Sequence, residues 1–468
     1  MRTPAMVASS VLASLGSDPA ALEPPAHLDF APVPVLYAAG VVCPMTGPAL
    51  ADGGVLVEGD RIVEIGPAAE LARRADRVHE VDGVLLPALV DASTTLEYAD
   101  AEALAVPGPA LAWSRALEGR TAAWPDEAWT RSARRGVQQL LRAGTGAVGD
   151  VVVHGPGVPA ASRAGLAGDS WVRVADTDAE YADSVLARVD SALGLPAQGR
   201  RVGIAPHSPA VLGTGVLQAL AALAVRRGVP LQVEGAETTA EVAALRSGDG
   251  PLAEQARERG LAFEWLDGGT QMTPVRYLDA CGVLTPRTSL VHGVHVDVLE
   301  ARLLAARGVT VVCSPRANAL RGAGEAPLER YAQAGTSLAL GTGSAAAVPQ
   351  PDVLSEAAAW AVLARGRDLA FWPSVVGPIT LEEQAVRLAT VEGARAMGWG
   401  DRSGVLAPGR RADLAGVAIA TTPATVYRDL VEHGPGRQVL TVLAGIRQAR
   451  RPTPDHPWPD IDRHELHP

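Results

Sequence analysis

The distribution of apolar and polar positions divides the chain into three parts. From VLYAAGVVCPMTG to VLVEGDRIVEIGP, short β-branched runs are broken by Gly, Asp and Pro, which is typical of a small antiparallel sheet. A long central part alternates short apolar runs with segments rich in Ala, Leu and Arg that have a helical period. SGVLAPGRRADLAGVAIA and QVLTVLAGIRQ then return to short β-like runs. The pattern predicts a small sheet domain built from both ends of the chain.

The central part predicts a parallel barrel. The runs that we expect to form its strands are VLLPALVDAS, GAVGDVVV, RVGIAPHSP, PLQVEGAE, SLVHGVH, VTVVCSP and SLALGTGS, with WVRVADT as a weaker candidate. Several helix-like segments between them end in Gly, a common helix stop. Strand–helix units repeated over roughly 300 residues favour an α/β fold with a (β/α)8, TIM-like barrel. The barrel would be inserted into a small β-sandwich domain made from the N- and C-terminal segments.

The changes of pattern also predict where the domains begin and end. The predicted ranges are an N-terminal arm over 1–32, the first part of the small β domain over 33–84, the barrel over 85–400, the second part of the small domain over 401–450, and a C-terminal tail over 451–468.

Composition limits the chemistry and the partners. The 468 residues contain no lysine, so all 41 basic residues are arginine, which excludes a lysine Schiff base, a phosphate-loop lysine and a carbamylated lysine. The net charge of -11 argues against nucleic acid and anionic membranes as partners. Cys43, Cys281 and Cys313 lie far apart, so we expect neither a disulfide framework nor a zinc ribbon. We find no long apolar run, and we expect no membrane span and a cytoplasmic location.

The candidate functional residues follow the predicted strands. In barrels of this type the active site lies at the C-terminal ends of the strands. The polar residues at those ends are Ser93, Thr95, Glu97, Asp150, His154, His207, Glu234, Glu237, His292, His295, Arg316 and Asn318, together with Gly343 in GTGS.

Several motifs resemble those of the amidohydrolase superfamily. APHSP, VEGAETTAEV, LVHGVH, VVCSPRAN and ALGTGS, with VEGDRIVEIG and GVLAPGRRADL in the small domain, occur in the order and spacing of that family from about Val35 to Arg450. The nearest resemblance is to the cytosine, guanine, triazine and aminodeoxyfutalosine deaminase-like branch. It implies hydrolysis or deamination at non-peptide C–N bonds of small cyclic or heterocyclic compounds. It also implies one divalent metal, Zn²⁺ or Fe²⁺, that activates water.

The resemblance places the family's metal ligands at four positions that have changed, namely Ser93, Thr95, Glu234 and Gly343. Neutral hydroxyls are poor ligands for these ions, and glycine offers no side chain. We therefore expect that the metal ligands are lost and that no cofactor is bound. Zn or Fe would be expected only at a rebuilt site, which would use Glu234, His292, His207 and either Asp150 or His154.

The acid–base positions of the family persist. The resemblance implies that Glu237 shuttles the proton, and that His292 and His207 contact the substrate; these three are the predicted catalytic residues. The family bends after this strand, which would bring both Glu234 and Glu237 to the pocket. The predicted substrate-binding residues are Glu234, Ser93, Thr95, Glu97, Arg316, Asn318 and Gly343. Each also has a structural alternative: the histidines could be hydrogen-bonded barrel residues, and Ser93 and Thr95 could be turn residues.

Three functions stay open at this point. We expect a small-molecule enzyme that uses Glu and His acid–base groups without a metal, with its ligand in the barrel pocket. The first alternative is a catalytically inactive homologue that serves as a ligand-binding or partner subunit, with a homodimer as one arrangement. The second alternative is a hydrolase with a rebuilt metal site.

Overall fold

The computed structural model describes residues 33–175, 182–194, 199–367, 369–370, 372–373, 377–451 and 453–457. The predicted N-terminal arm over 1–32 and most of the predicted tail lie outside the described residues. In the part of the chain that is described, no helix is long and apolar enough to cross a membrane.

Seven strands from both ends of the chain form the small domain's sheet. They are β1 (Val35–Val42), β2 (Leu50–Glu58), β3 (Arg61–Pro67), β4 (Arg77–Pro87), β13 (Leu414–Val417), β14 (Gln438–Leu443) and β15 (Ile446–Arg450). Their order is β15-β14-β13-β4-β1-β2-β3, and only the β1–β4 pair is parallel. Gly59, with φ of 58°, makes the tight turn between β2 and β3, where the sequence breaks two β-branched runs with Gly and Asp. Because β4 continues to Pro87, this sheet extends past the predicted boundary at residue 84; the domain boundaries stay a prediction.

The second sheet is a nearly closed parallel barrel. Its strands are β5 (Leu89–Thr94), β6 (Thr145–Val152), β7 (Ala167–Val174), β8 (Arg201–Pro206), β9 (Leu231–Gly235), β10 (Thr288–His292), β11 (Thr310–Cys313) and β12 (Ser337–Leu340). Neighbours in sequence are neighbours in the sheet, and a parallel bridge between Thr94 and Gly343 links the first strand to the segment after the last. The weaker candidate WVRVADT supplies the end of β7. The predicted fold, a (β/α)8-type barrel inserted into a small β domain, is confirmed.

Most of the helices follow barrel strands, whereas the first and the last helix lie between strands of the small domain's sheet. The helices are α1 (Ala68–Leu71), α2 (Ala110–Thr121), α3 (Asp126–Arg142), α4 (Gly157–Arg163), α5 (Ala182–Leu193), α6 (Thr214–Arg227), α7 (Thr239–Ser247), α8 (Pro251–Glu258), α9 (Pro274–Ala280), α10 (Val298–Ala306), α11 (Pro315–Arg321), α12 (Leu328–Ala334), α13 (Val353–Gly366), α14 (Leu381–Leu388), α15 (Val391–Ala396) and α16 (Val426–His433). Short 3-10 segments span Ala72–Arg74, Leu96–Leu104 and Glu264–Leu266. Gly228, Gly248, Gly322 and Gly335 are left-handed C-caps of α6, α7, α11 and α12, which confirms glycine as the predicted helix stop.

The N-terminal end of the barrel is closed by structural contacts. The buried guanidinium of Arg200 donates to the carbonyl oxygens of Leu166, Ala167, Val148 and Asp169. Trp399, from the segment after α15, donates from Nε1 to Oδ1 of Asp169 over 2.8 Å and packs in the same region. These contacts are structural, and barrels of this type place their chemistry at the opposite, C-terminal ends of the strands.

Candidate active site

Three adjacent strands bring the predicted acid–base residues together. β8, β9 and β10 are neighbours in the barrel, and His292 pairs with Gly235 in the register of β10 and β9. His207 follows β8 directly, and its carbonyl oxygen accepts from the backbone N–H of Glu234 over 2.8 Å. The side chains of His207, Glu234 and His292 therefore leave the barrel at one edge of its mouth.

His207 and Glu234 form the first carboxylate–imidazole pair. Nδ1 of His207 lies 2.8 Å from Oε2 of Glu234, and both side chains are partly exposed. The distance is that of an ion pair, although the ring N–H is not aligned with the oxygen for a hydrogen bond. Burial alone would raise the pKa of Glu234, but His207, His292 and Arg173 outweigh it and lower that pKa to about 2. Glu234 is therefore a carboxylate at any ordinary pH.

His292 forms the second pair with Glu237. Nδ1 of His292 lies 2.8 Å from Oδ1 of Asn318 and 4.0 Å from Oε1 of Glu237. Since an amide oxygen only accepts, Nδ1 carries a proton and Nε2 is the nitrogen left for a ligand. Burial alone would lower the pKa of His292. Glu237, Glu234 and the Asn318 contact together outweigh burial, so the pKa of His292 is raised above its ordinary value. The backbone φ of His292 is 75°, a left-handed conformation that is strained for a residue other than glycine.

A bend after β9 places both carboxylates near His292. On a regular strand, residues three apart point to opposite faces. Here β9 ends at Gly235, and Ala236 has a left-handed φ of 53°. The carbonyl oxygen of Ala236 accepts from the backbone N–H groups of Val294 and His295, each over 2.8 Å. The bend thus ties the Glu237 turn to the turn that follows His292.

The positions expected to replace metal ligands line one wall of the barrel. Ser93 is buried, and its hydroxyl donates to Oε1 of Gln232 on β9 over 3.0 Å. Gly343 has a left-handed φ of 71° and donates its N–H to the carbonyl oxygen of Ser93 over 2.9 Å. Thr95 is buried at the start of the 3-10 segment. These contacts give Ser93 and Gly343 structural tasks between strands; their predicted part in substrate binding stays a prediction.

Glu97 supports a loop. Its side chain is fully buried and accepts from the backbone N–H groups of Val153, His154, Gly155 and Gly157, over 2.6 to 2.9 Å. Four donors saturate both carboxylate oxygens, so no acceptor capacity is left for a substrate. We therefore do not keep Glu97 in the proposed binding set.

Arg316 is likewise engaged with its own surroundings. Its guanidinium donates to the carbonyl oxygens of Pro349 and Gln350, and Nη1 lies 3.6 Å from Oε1 of the buried Glu356. Asn318, by contrast, is buried beside His292 and serves that ring directly. The structure thus connects Asn318, but not Arg316, to the acid–base pairs.

Asp150 and His154 lie around the Glu97 loop. Asp150 accepts from the backbone N–H of Leu96. Burial, and after it the nearby charge of Glu97, raise the pKa of Asp150 to about 7. His154 stacks on Trp129 at 4.8 Å between ring centroids and contacts Asp126 at 3.0 Å. In the described ranges, no group of three or more His, Cys, Asp and Glu side chains stands together where it could hold a metal ion.

Three residues of the mouth, Arg173, Tyr98 and Glu241, are not among those predicted from the sequence. Arg173, near the end of β7, donates to the hydroxyl of Tyr98 over 3.1 Å and helps to lower the pKa of Glu234. Glu241, on α7, accepts from the backbone of Glu237. Arg173 could have been found as the polar residue at the end of the weak strand WVRVADT; Tyr98 and Glu241 carried no signal.

His295 contacts the carbonyl oxygen of Ala323 at 2.9 Å, a structural role.

Comparison with known proteins agrees with this architecture. The model of the amidohydrolase family matches residues 84–445, and that of an imidazolonepropionase-like composite domain of bacteria matches residues 53–76. The aminodeoxyfutalosine deaminase of Deinococcus radiodurans is 33% identical over 314 residues, which cover 64% of this chain and 73% of the relative. The 5'-deoxyadenosine deaminase of Methanothermobacter thermautotrophicus is 28% identical over 426 residues, covering 86% and 92%. An adenosine deaminase from Xanthomonas campestris, solved with bound zinc, superposes with a TM-score of 0.72 at 24% identity, covering 93% of this chain and 96% of that one.

The expectation that no cofactor is involved is wrong, because the similar Xanthomonas structure contains zinc. The donor set of this chain nevertheless does not fit the zinc site that the resemblance implies. Ser93 uses its hydroxyl on Gln232, Gly343 has no side chain, and Glu234 is paired with His207. Zinc prefers Cys, His and carboxylate ligands in tetrahedral sets, which these positions do not supply. The groups that the described residues supply at the mouth are the pairs of His207 with Glu234 and of His292 with Glu237.

Proposed function

This chain belongs to the amidohydrolase family, in its deaminase-like branch, and from that premise we propose that it acts on a C–N bond of a small, adenosine-like heterocyclic compound. The observation that carries the proposal is the convergence of two carboxylate–imidazole pairs on adjacent strand ends, His207 with Glu234 and His292 with Glu237. Strand ends at this face are where barrels of this type place their chemistry.

The two pairs divide the work of the reaction. Glu234, held ionised by its neighbours, accepts a hydrogen bond from the amino group of the ligand and orients the ring. Glu237 takes a proton from the attacking water, whose oxygen bonds to the ring carbon. The same carboxyl then delivers that proton to the leaving nitrogen as the C–N bond breaks and ammonia departs. Positioned acid–base groups contribute about 10²–10⁴-fold each.

His292 and Asn318 keep the second pair in register. Asn318 accepts from Nδ1, so Nε2 of His292 presents a fixed nitrogen to the ligand. The upward shift in the pKa of His292 favours its protonated form, which stabilises negative charge on the attacked ring. His207 stabilises the Glu234 carboxylate and borders the same space.

A second candidate function is a ligand-binding or partner subunit without turnover. The observation that favours it is the donor set on the first and last strands, where Ser93 is bonded to Gln232 and Gly343 has no side chain. A homodimer and a cytoplasmic location stay predictions from the sequence.

The test uses 5'-deoxyadenosine, adenosine and 5'-methylthioadenosine as probes. Calorimetry measures binding and ammonia release measures turnover, for the wild-type chain and for Glu237→Gln. We expect both proteins to bind a probe and only the wild type to release ammonia. Binding without release by either protein favours the second candidate, and no binding of any probe contradicts the proposed substrate class.

A further inference from the structure

Glu241 is a buried carboxylate beside the mouth that the proposed reaction does not use. It lies in the first turn of α7 and is 3% exposed. Oε2 accepts from the backbone N–H of Glu237 over 2.9 Å, and Oε1 accepts from the hydroxyl of Ser208 over 3.1 Å. Burial raises the pKa of Glu241 to about 7, opposed by the hydrogen bonds that it accepts. Because burying a carboxyl group costs free energy, we expect the Glu241 carboxyl to serve a specific purpose at this site.

Helix capping alone does not account for its contacts. In α10, the Glu at the third helical position, Glu300, returns to the N–H of its own N-cap residue Asp297, which forms a complete capping box. In α7, Thr238 is the N-cap and accepts from the N–H of Glu241, but the Glu241 side chain passes beyond Thr238. It instead contacts the backbone of Glu237, a member of the second pair, and the hydroxyl of Ser208, which follows His207 of the first pair.

Those two contacts join the ends of β8 and β9. Ser208 follows His207, so its bond to Glu241 ties the His207 turn to α7. The bond to the N–H of Glu237 fixes the residue after the left-handed Ala236. Ala236 in turn accepts from Val294 and His295 after β10. One buried side chain thus links the turns that carry His207 and Glu237, and through Ala236 the turn after His292.

We infer that Glu241 is a positioning residue that holds the Glu237 carboxyl at its working distance from His292 by bonding the Glu237 backbone and Ser208. The inference rests on the proposed function for its effect on turnover, but its geometric part has its own readout. That readout is the pKa of His292, which the position of the Glu237 carboxylate helps to raise.

The experiment compares Glu241→Gln with Glu241→Ala. Both variants remove the charge of Glu241, but glutamine still accepts from Glu237 and can donate to Ser208, whereas alanine does neither. Carbon-detected NMR titration of the histidine rings gives the pKa of His292, assigned with a His292→Gln variant. We expect a lower pKa in Glu241→Ala than in Glu241→Gln, and no difference between the two when Glu237→Gln is also present. Double-mutant comparison of this kind isolates the coupling between two residues.

Turnover of 5'-deoxyadenosine supplies the second readout. We expect kcat/KM to fall at least about tenfold in Glu241→Ala and to stay within about threefold of wild type in Glu241→Gln, since small displacements of a catalytic group are costly. Glu300→Ala and Glu300→Gln are the matched controls, because Glu300 has the same helical position without a link to the mouth.

Each failure has a separate signature. If the wild type has no turnover, the proposed function fails while the His292 titration still tests the inference. Equal His292 pKa values in Glu241→Ala and Glu241→Gln would overturn the inference. So would an effect of Glu300→Ala on that pKa as large as that of Glu241→Ala, which would reduce Glu241 to a helix cap.

Discussion

Oε2 of Glu234 lies 2.8 Å from Nδ1 of His207, and this contact joins the C-terminal ends of two neighbouring barrel strands. Glu234 stands at the position where the family resemblance implies a metal-binding histidine. With its pKa lowered to about 2, the Glu234 carboxylate stays negatively charged at the mouth. His292 responds to this charge and to Glu237, and its own pKa is raised. The two pairs are thus electrostatically coupled.

Replacing the Glu234 carboxylate is expected to weaken ligand binding. In Glu234→Gln, we expect the affinity for 5'-deoxyadenosine to fall by about tenfold, about 1.4 kcal/mol, because a neutral amide neither pairs with His207 nor accepts as strongly from the ligand. Since Glu234 itself stays ionised at ordinary pH, a change of this difference with pH would report the titration of His292, whose pKa Glu234 helps to raise. Calorimetry at several pH values measures it, with the exposed Glu258→Gln as control. An unchanged affinity would remove Glu234 from the binding set.

Asn318 is expected to set the protonation of His292. Its hydrogen bond is one of the causes that raise the pKa of His292, so Asn318→Leu should lower that pKa and Asn318→Asp should raise it further. A raised histidine pKa stabilises the folded chain while the ring is protonated, and this stability is lost as the pH rises through the folded pKa. The loss of unfolding free energy in Asn318→Leu should therefore be larger below that pKa than above it. NMR titration and unfolding at several pH values check both signs; equal His292 pKa values in the two variants would contradict the assignment.

Glu97 is expected to matter for stability. Glu97→Ala leaves four backbone N–H groups of the 153–157 loop without their acceptor, which we expect to lower the free energy of unfolding by about 3 kcal/mol or more. Glu97→Gln should cost less, because one carbonyl oxygen remains. Urea unfolding measures both. Glu102→Ala is the control in the same 3-10 segment: Glu102 is half exposed and pairs with Arg135, so the expected cost is below about 1 kcal/mol. A loss in Glu97→Ala no larger than in the control would refute the loop role.

Glu356 is expected to make stability depend on pH. Burial raises its pKa to about 8, with Arg316 opposing that shift. A carboxyl group with a raised pKa contributes stability while it is protonated, and this contribution falls between the unfolded value of about 4.3 and the folded value. Glu356→Gln removes that titration and still offers an oxygen to the N–H of Arg316. We expect its Tm relative to wild type to rise from about pH 5 to about pH 8 and then to level off. A relative Tm that is constant or falls over this range would contradict the raised pKa of Glu356.

The fold could be predicted because it depends on local patterns. Apolar runs of strand length, helical segments ended by glycine, and the return of β-like runs near Leu414 all stand in the sequence. The strand-end rule then placed His207, Glu234 and His292 at one face. The bend at Ala236, which the family resemblance implied, brings Glu237 to the same mouth.

The role of several site residues could not be predicted, because their partners are backbone groups distant in sequence. Every residue type carries the same backbone N–H and C=O groups, apart from proline, so the sequence does not show which of them will meet a side chain. For this reason neither the four N–H groups around Glu97 nor the carbonyl oxygens around Arg316 could be predicted. Gly155 and Gly157, close together in VVVHGPG, were the nearest hint of a loop wrapped around a carboxylate. The bond from Ser93 to Gln232 likewise joins residues far apart in the chain.

The most direct test of the central claim is ammonia release from 5'-deoxyadenosine by the wild-type chain and by Glu237→Gln, after equal binding has been established by calorimetry. Because glutamine has nearly the size and shape of glutamate, we expect the two proteins to share the fold and to differ only in the proton-transfer group. The account predicts turnover by the wild type and a loss of at least about 10²-fold in kcat for Glu237→Gln. Equal rates in the two proteins would contradict it, because the Glu237 carboxyl would then have no part in the reaction.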